Sequence, residues 1–272
     1  MKPKALAYPY SIWVLLFTII PILLVVFFSF TDKNWNFTFD NIIRVGKYSG
    51  VFLKSIGLGG IATAICFLLG YPMAYVMSEM KVKNQQLVSN LIMLPMWISF
   101  LLRTYAWMTL LEDNGLINKF LNIIGLPSVH MINTQGAVIL GMVYDFLPFM
   151  ILPIYTVLSQ LDKSVIEAAK DLGANNSNLF FRVIFPLSIP GIISGVTMVF
   201  VPAVSTFIIS KMLGGGENML IGDLIESQFL GTSYNPHLGS AMSLILMILI
   251  LICMGIMNQI DNRPSEEKGV VV

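Results

Sequence analysis

LDKSVIEAAKDLGANNSNLFFRVIFPLSIP, residues 161–190, is a polar interlude between two long apolar runs. Ser164 followed three residues later by Glu167 has the spacing of a capping box, in which side chains satisfy free backbone N–H groups at a helix start. The helix so begun runs through Ala168, Ala169 and Leu172. Gly173 follows where a left-handed C-terminal residue is needed, and the helix ends there. Asn175, Asn176 and Ser177 then offer a fresh cap, and Leu179, Phe180 and Phe181 lead into the next apolar run. The reading is a short helix, a sharp turn and a second helix, with Ala168 and Ala169 forming a low-relief face. A generic hairpin joining two spans fits the same physics.

Outward from this stretch the chain is strongly apolar. It has 272 residues, 56% hydrophobic and 11% charged, with mean hydropathy +0.79. Soluble domains carry roughly 25% charged residues, too many for this chain to resemble one. A bilayer core about 30 Å thick needs roughly 20 apolar residues in a helix, because backbone polar groups must be satisfied internally. Six stretches meet or approach this, at about 10–30, 55–78, 87–111, 135–159, 183–210 and 238–260. Pro72 and Pro202 are expected to kink the second and fifth. Gly191 and Gly195 form a small-xxx-small pair suited to close helix packing. The first stretch is longer than a secretory h-region and is read as a retained helix. The expected fold class is an all-α membrane protein, one transmembrane domain over 1–272 with a flexible tail at 261–272.

Two ionisable residues fall inside these stretches, Arg103 in the third and Asp145 in the fourth. Each costs about 2.5–3.5 kcal/mol at a helix centre, so each needs a protein partner or a polar cavity. They can pair with each other, or Asp145 can face a translocation path; both readings stay open here. Tyr105, Trp107 and Tyr144 stand beside them as path candidates. Cys66 and Cys253 lie in apolar segments and read as core residues, while His130 and His237 read as loop residues. The net charge of +1 is scattered, which argues against a nucleic-acid surface. With both termini in the cytoplasm, inner segments carry nine basic residues against six outside, a weak preference.

Glu167-Ala168-Ala169, three residues, Gly173, nine residues, then Val183-Ile184-Phe185-Pro186 resembles the EAA loop of ABC-importer permeases. Val183 and Phe185 replace the family's Ile and Leu. The resemblance implies the ABC type I importer permease fold, with a cytoplasmic coupling loop at about 161–186 that docks on a separate ATP-hydrolysing subunit. It assigns Glu167, Ala168, Ala169, Gly173 and Pro186 to that coupling surface and puts both termini in the cytoplasm of a prokaryote. The chain has no G-x-x-x-x-G-K-[ST] loop, so ATP and magnesium would sit in the partner, and no cofactor is expected here. The implied partners are a second, similar permease, two copies of the ATPase and an external substrate-binding protein.

Leu102-Arg103-Thr104-Tyr105-Ala106-Trp107, Asn114-Gly115-Leu116-Ile117-Asn118, Gly70-Tyr71-Pro72 and Leu147-Pro148-Phe149-Met150 resemble the first-permease type of spermidine/putrescine transporters. Permeases for sulfate, molybdate, iron or thiamine share parts of these motifs. Polyamines are flexible polycations, and carboxylates with aromatic faces suit them. Glu112 and Asp113 at the outer end of the third span, with Glu217, Asp223 and Glu226 in the fifth loop, fit that chemistry. Rival readings are an ion-coupled secondary carrier using Asp145 and a membrane assembly factor without transport.

Overall fold

The computed structural model describes residues 12–231 and 233–261. In chain order the helices are α1 (Ile12–Ser29), α2 (Asp40–Val45), α3 (Ser49–Ser78), α4 (Val82–Met93), α5 (Phe100–Leu111), α6 (Leu116–Ile123) and α7 (Gln135–Ser159). There follow α8 (Lys163–Asp171), α9 (Asn176–Leu187), α10 (Ile189–Ser205), α11 (Ile208–Leu213), α12 (Ile221–Leu230) and α13 (Pro236–Asp261). Among the described residues no β-strand forms, only an isolated bridge between Thr31 and Phe37.

Among the described residues four helices, α1, α3, α7 and α13, are long and apolar enough to cross a bilayer singly. Two bent helix pairs are long and apolar enough together to be broken spans. The α4 segment, prolonged to Trp97, meets the α5–α6 segment at 85°, and α9 meets α10 at 61°. The third expected stretch is therefore not one helix. Pro95 has no N–H to donate, the chain tightens into a 3₁₀ turn over Leu94–Trp97, and Ile98 and Ser99 turn extended. The fifth expected stretch is also divided, bending at Ser188 and breaking again at Thr206–Phe207, past Pro202. Conversely α3 starts earlier than expected, at Ser49, and continues without a break through Tyr71 and Pro72 to Ser78. The sixth expected stretch, α13, runs to Asp261; the rest of the expected tail, and the chain before Ile12, lie outside the described residues.

The centre of the bundle is α3, α7 and α10. In lipid the tails are as apolar as leucine, so helices associate through close van der Waals packing and small residues. A Cβ on Gly191 would meet the Pro153 carbonyl oxygen at 3.0 Å and Ile154 Cα at 3.1 Å. One on Gly195 would meet the Met150 sulfur at 2.9 Å. The small-xxx-small pair thus brings the α10 backbone against α7. Of the most apolar window of α7, 56% is buried, against 6% for α1. The first helix packs on α13 and leaves the rest of its apolar surface for lipid or another subunit.

His237 departs from expectation. It is the second residue of α13, not a loop residue, and is buried with its Nδ1 3.3 Å from the Phe28 carbonyl oxygen and 3.4 Å from Thr31 Oγ1. The glycine segment Gly214, Gly215 and Gly216 is tied down at both ends. Asn133 N–H donates to the Leu213 carbonyl, and Asn218 Nδ2 donates to the Asn133 carbonyl, both at 2.8 Å.

Candidate functional site

The hairpin around α8 caps one end of the bundle. Its true N-cap is Asp162, not Ser164: the Asp162 carboxylate accepts the Ser164 N–H at 2.9 Å, and Ser164 already lies within the helix. That amide holds the Asp162 carboxyl below the usual carboxylate range. The expected reciprocal bond from Glu167 is therefore replaced, because an extended Asp two residues upstream reaches the free amides first. At the other end the expectation of a left-handed glycine is met: Gly173 has φ +82°. Its N–H donates to the Lys170 carbonyl at 2.9 Å and the Ala174 N–H to the Ala169 carbonyl at 3.0 Å, the paired bonds of a Schellman stop. Asn175 then caps α9 by accepting the Asn178 N–H at 2.8 Å.

Ile166 and Ala169 pack inward from α8, while Val165, Ala168 and Leu172 face outward, Leu172 89% exposed. Glu167 is exposed and lines a groove of about 420 Å³ with Tyr75, Glu79, Lys163 and Lys170. Glu167, Ala168 and Gly173 are exposed, whereas Ala169 turns toward the core. Pro186 is apart from them, exposed on α9. There it removes one amide from the ladder, and the helix widens to a π turn over Phe180–Ile184 just before it.

Sequence reasoning missed how this hairpin joins the core. The Tyr71 hydroxyl of α3 lies 3.0 Å from the Ser188 hydroxyl, at the 61° bend, and Ser188 donates to the Phe185 carbonyl at 2.8 Å. The Tyr71 ring also sits against Phe180 and Phe185, with centroids 5.7 and 5.6 Å away. Only a single Tyr-Pro dipeptide marked the place, and nothing in its spacing pointed to Ser188.

In mid-bundle, Arg103 on α5 and Asp145 on α7 come together. Arg103 Nη1 is 3.0 Å from Asp145 Oδ1, with side chains 9% and 1% exposed. The approach is close but not aligned as a hydrogen bond, and Arg103 Nε has no acceptor either. Trp107, one turn after Arg103, makes an edge contact with Tyr144, ring centroids 5.3 Å apart. Tyr105 is not brought in: two residues round the helix from Arg103 it faces away and is 56% exposed. Of the carboxylates expected at outer ends, Asp113 Oδ1 is 2.8 Å from His130 Nδ1, and Glu226 accepts from Lys211 at 3.0 Å with both oxygens.

A bundle of apolar spans, two of them broken, with a capped hairpin presented at one end, is the architecture of a transport component. A chain of the bacterial alginate ABC transporter, crystallised with its alginate pentasaccharide-bound periplasmic protein, shares this fold with TM-score 0.82 over 97% of this chain and 94% of that one, at 18% identity. Residues 67–265 match the family of binding-protein-dependent transport system inner membrane components, and the chain belongs to that family. It is a multi-pass inner-membrane permease, a transport subunit and not an enzyme. Its relatives include the spermidine/putrescine transport system permease protein PotB of Haemophilus influenzae, 39% identical over 267 residues and covering 93% of both chains. PotB of Escherichia coli is 38% identical over 263 residues, covering 93% of this chain and 94% of the relative.

Proposed function

We propose that this permease carries polyamines inward across the cytoplasmic membrane, driven by a separate ATPase. The observation that carries the substrate class is its near-full-length similarity to two spermidine/putrescine permeases. The end of the bundle that bears α8 faces the cytoplasm, so both termini are cytoplasmic. The complex contains a second similar permease, two ATPase copies holding ATP and magnesium, and an external binding protein.

In this reading Val165, Ala168 and Leu172 are the apolar contact surface for the ATPase, and Glu167 meets a basic group on it. An apolar face left exposed at the polar end of a membrane bundle supports a protein partner there. The Schellman stop at Gly173 keeps α8 short and rigid, so a push from the ATPase moves it as one body. The displacement passes through α9 to the Ser188 bend, where Tyr71 links it to α3, and on into α10, whose glycines slide against α7. Alternating access follows without any covalent step on this chain. Trp107 and Tyr144 are the path candidates; Arg103 holds the broken third span to α7 through Asp145. Because Asp145 is committed to Arg103, it is a poor choice for ion coupling.

The test is uptake of labelled spermidine, putrescine, sulfate and thiamine by the reconstituted complex. Transport of the two polyamines alone supports the reading, and transport of sulfate or thiamine instead overturns the substrate class.

A further inference from the structure

At the end of the bundle opposite α8, a cavity of about 280 Å³ opens between α11 and α12. Asp223, the third residue of α12, lines it and is 4% exposed. One carboxylate oxygen, Oδ2, accepts the Leu220 N–H at 2.7 Å and caps the helix. The other, Oδ1, is buried and accepts nothing. The neighbouring Ser210 hydroxyl donates instead to the Phe207 carbonyl at 3.2 Å. Buried polar atoms are nearly always satisfied, so an unpartnered carboxylate oxygen lining a cavity points to a donor that arrives from outside. Burial raises this carboxyl above its ordinary value, against the lowering by the Leu220 amide, the Ser210 hydroxyl and Lys211.

The rest of the lining specifies the donor. Glu226, one turn along α12, presents a second carboxylate, at present accepting from Lys211. Two carboxylates therefore face one lysine, and an anion is disfavoured. The Ser227 hydroxyl donates to the Leu224 carbonyl at 2.8 Å, leaving its oxygen free to accept. Met219 adds an unbranched, adaptable apolar wall. A group with several N–H donors, no acceptor and an alkyl stem meets all of these demands: a primary ammonium on a methylene chain. The cavity is walled on one side by the glycine segment that Asn133 and Asn218 hold in place, so it is built before any ligand comes.

We propose that this cavity is an entry site for the leading primary ammonium of an alkyl polyamine, with Asp223 Oδ1 as its principal acceptor and Glu226 as its second. The inference rests on the polyamine reading above and adds where the cation first meets the permease. The test measures saturable binding of labelled putrescine to the permease–ATPase complex without binding protein, beside spermidine uptake by the full complex. Asp223→Asn keeps an oxygen for the Leu220 amide but puts an NH₂ where the free acceptor was. It should weaken putrescine binding roughly tenfold, the scale of one hydrogen bond to a charged group. Lys211→Met/Glu226→Gln leaves the helix cap untouched and should also weaken binding several-fold, deciding the matter if Asp223→Asn does not assemble. Neutral 1,4-butanediol should not compete. If the wild-type complex takes up spermidine but binds no putrescine, or the assembled variants bind it normally, the cavity assignment falls alone. If the wild type takes up no polyamine, the substrate reading falls and this inference with it.

Discussion

Replacing Asp145 by Asn tests whether the buried pair is a structural fastening. The change is nearly isosteric and leaves Arg103, 9% exposed, beside an uncharged amide where its carboxylate stood at 3.0 Å. Breaking a buried pair by removing one partner costs about 3–5 kcal/mol, since the remaining charge stays desolvated. For a chain of this size 1 kcal/mol moves the melting temperature by about 2–4 °C, so the shift should be on the order of 10 °C. Arg103→Leu should cost a similar amount. The double variant Arg103→Leu/Asp145→Leu removes both charges and should recover most of the loss, as apolar replacements of buried pairs often do. The assay is thermal unfolding of the purified complex in detergent, run as a double-mutant cycle with spermidine uptake measured in parallel. Additive single effects, or Asp145→Asn melting within about 2 °C of wild type, would refute the fastening argument. Loss of uptake at wild-type stability would return Asp145 to the translocation path.

Four further outcomes follow from the hairpin and the core. Gly191→Leu forces a side chain against the Pro153 carbonyl at 3.0 Å, and should lower stability by about 1–3 kcal/mol or more, read as a lower melting temperature. Glu167→Ala should insert normally yet weaken ATP-driven uptake, and Gly173→Val should do the same by straining a backbone at φ +82° by about 1–2 kcal/mol; membrane yield and uptake are the two readouts. The Asp162 cap should keep α8 protected from amide exchange at every pH above the ordinary carboxylate value of 3.8. A group whose folded value is lowered contributes above its unfolded value, and loses that contribution only as pH falls through the folded one.

The spans were legible because lipid demands long apolar helices, and six stretches in the sequence answer that demand. Where helices break was less legible. Pro72 and Pro95 look alike in sequence, yet α3 passes through the first and the third span breaks near the second. A proline thus permits a break without dictating one. The α8 hairpin was legible in its turn, since φ +82° at position 173 favours glycine, but not in its cap: Asp162 and Ser164 both suit an N-cap, and the extended backbone at Asp162 settled it. Arg103 and Asp145 were foreseeable as a pair because few partners exist within an apolar bundle. Tyr71 with Ser188, and the free oxygen of Asp223, depend on long-range placement that no local pattern encodes.

The central claim is that an external ATPase drives this permease through α8. It is tested most directly by labelled spermidine uptake into proteoliposomes holding the two permeases and the binding protein, with the ATPase present or omitted and with an ion gradient imposed in its place. The account predicts uptake only with the ATPase and ATP, abolished by Glu167→Ala. Uptake driven by the ion gradient with no ATPase present would contradict it.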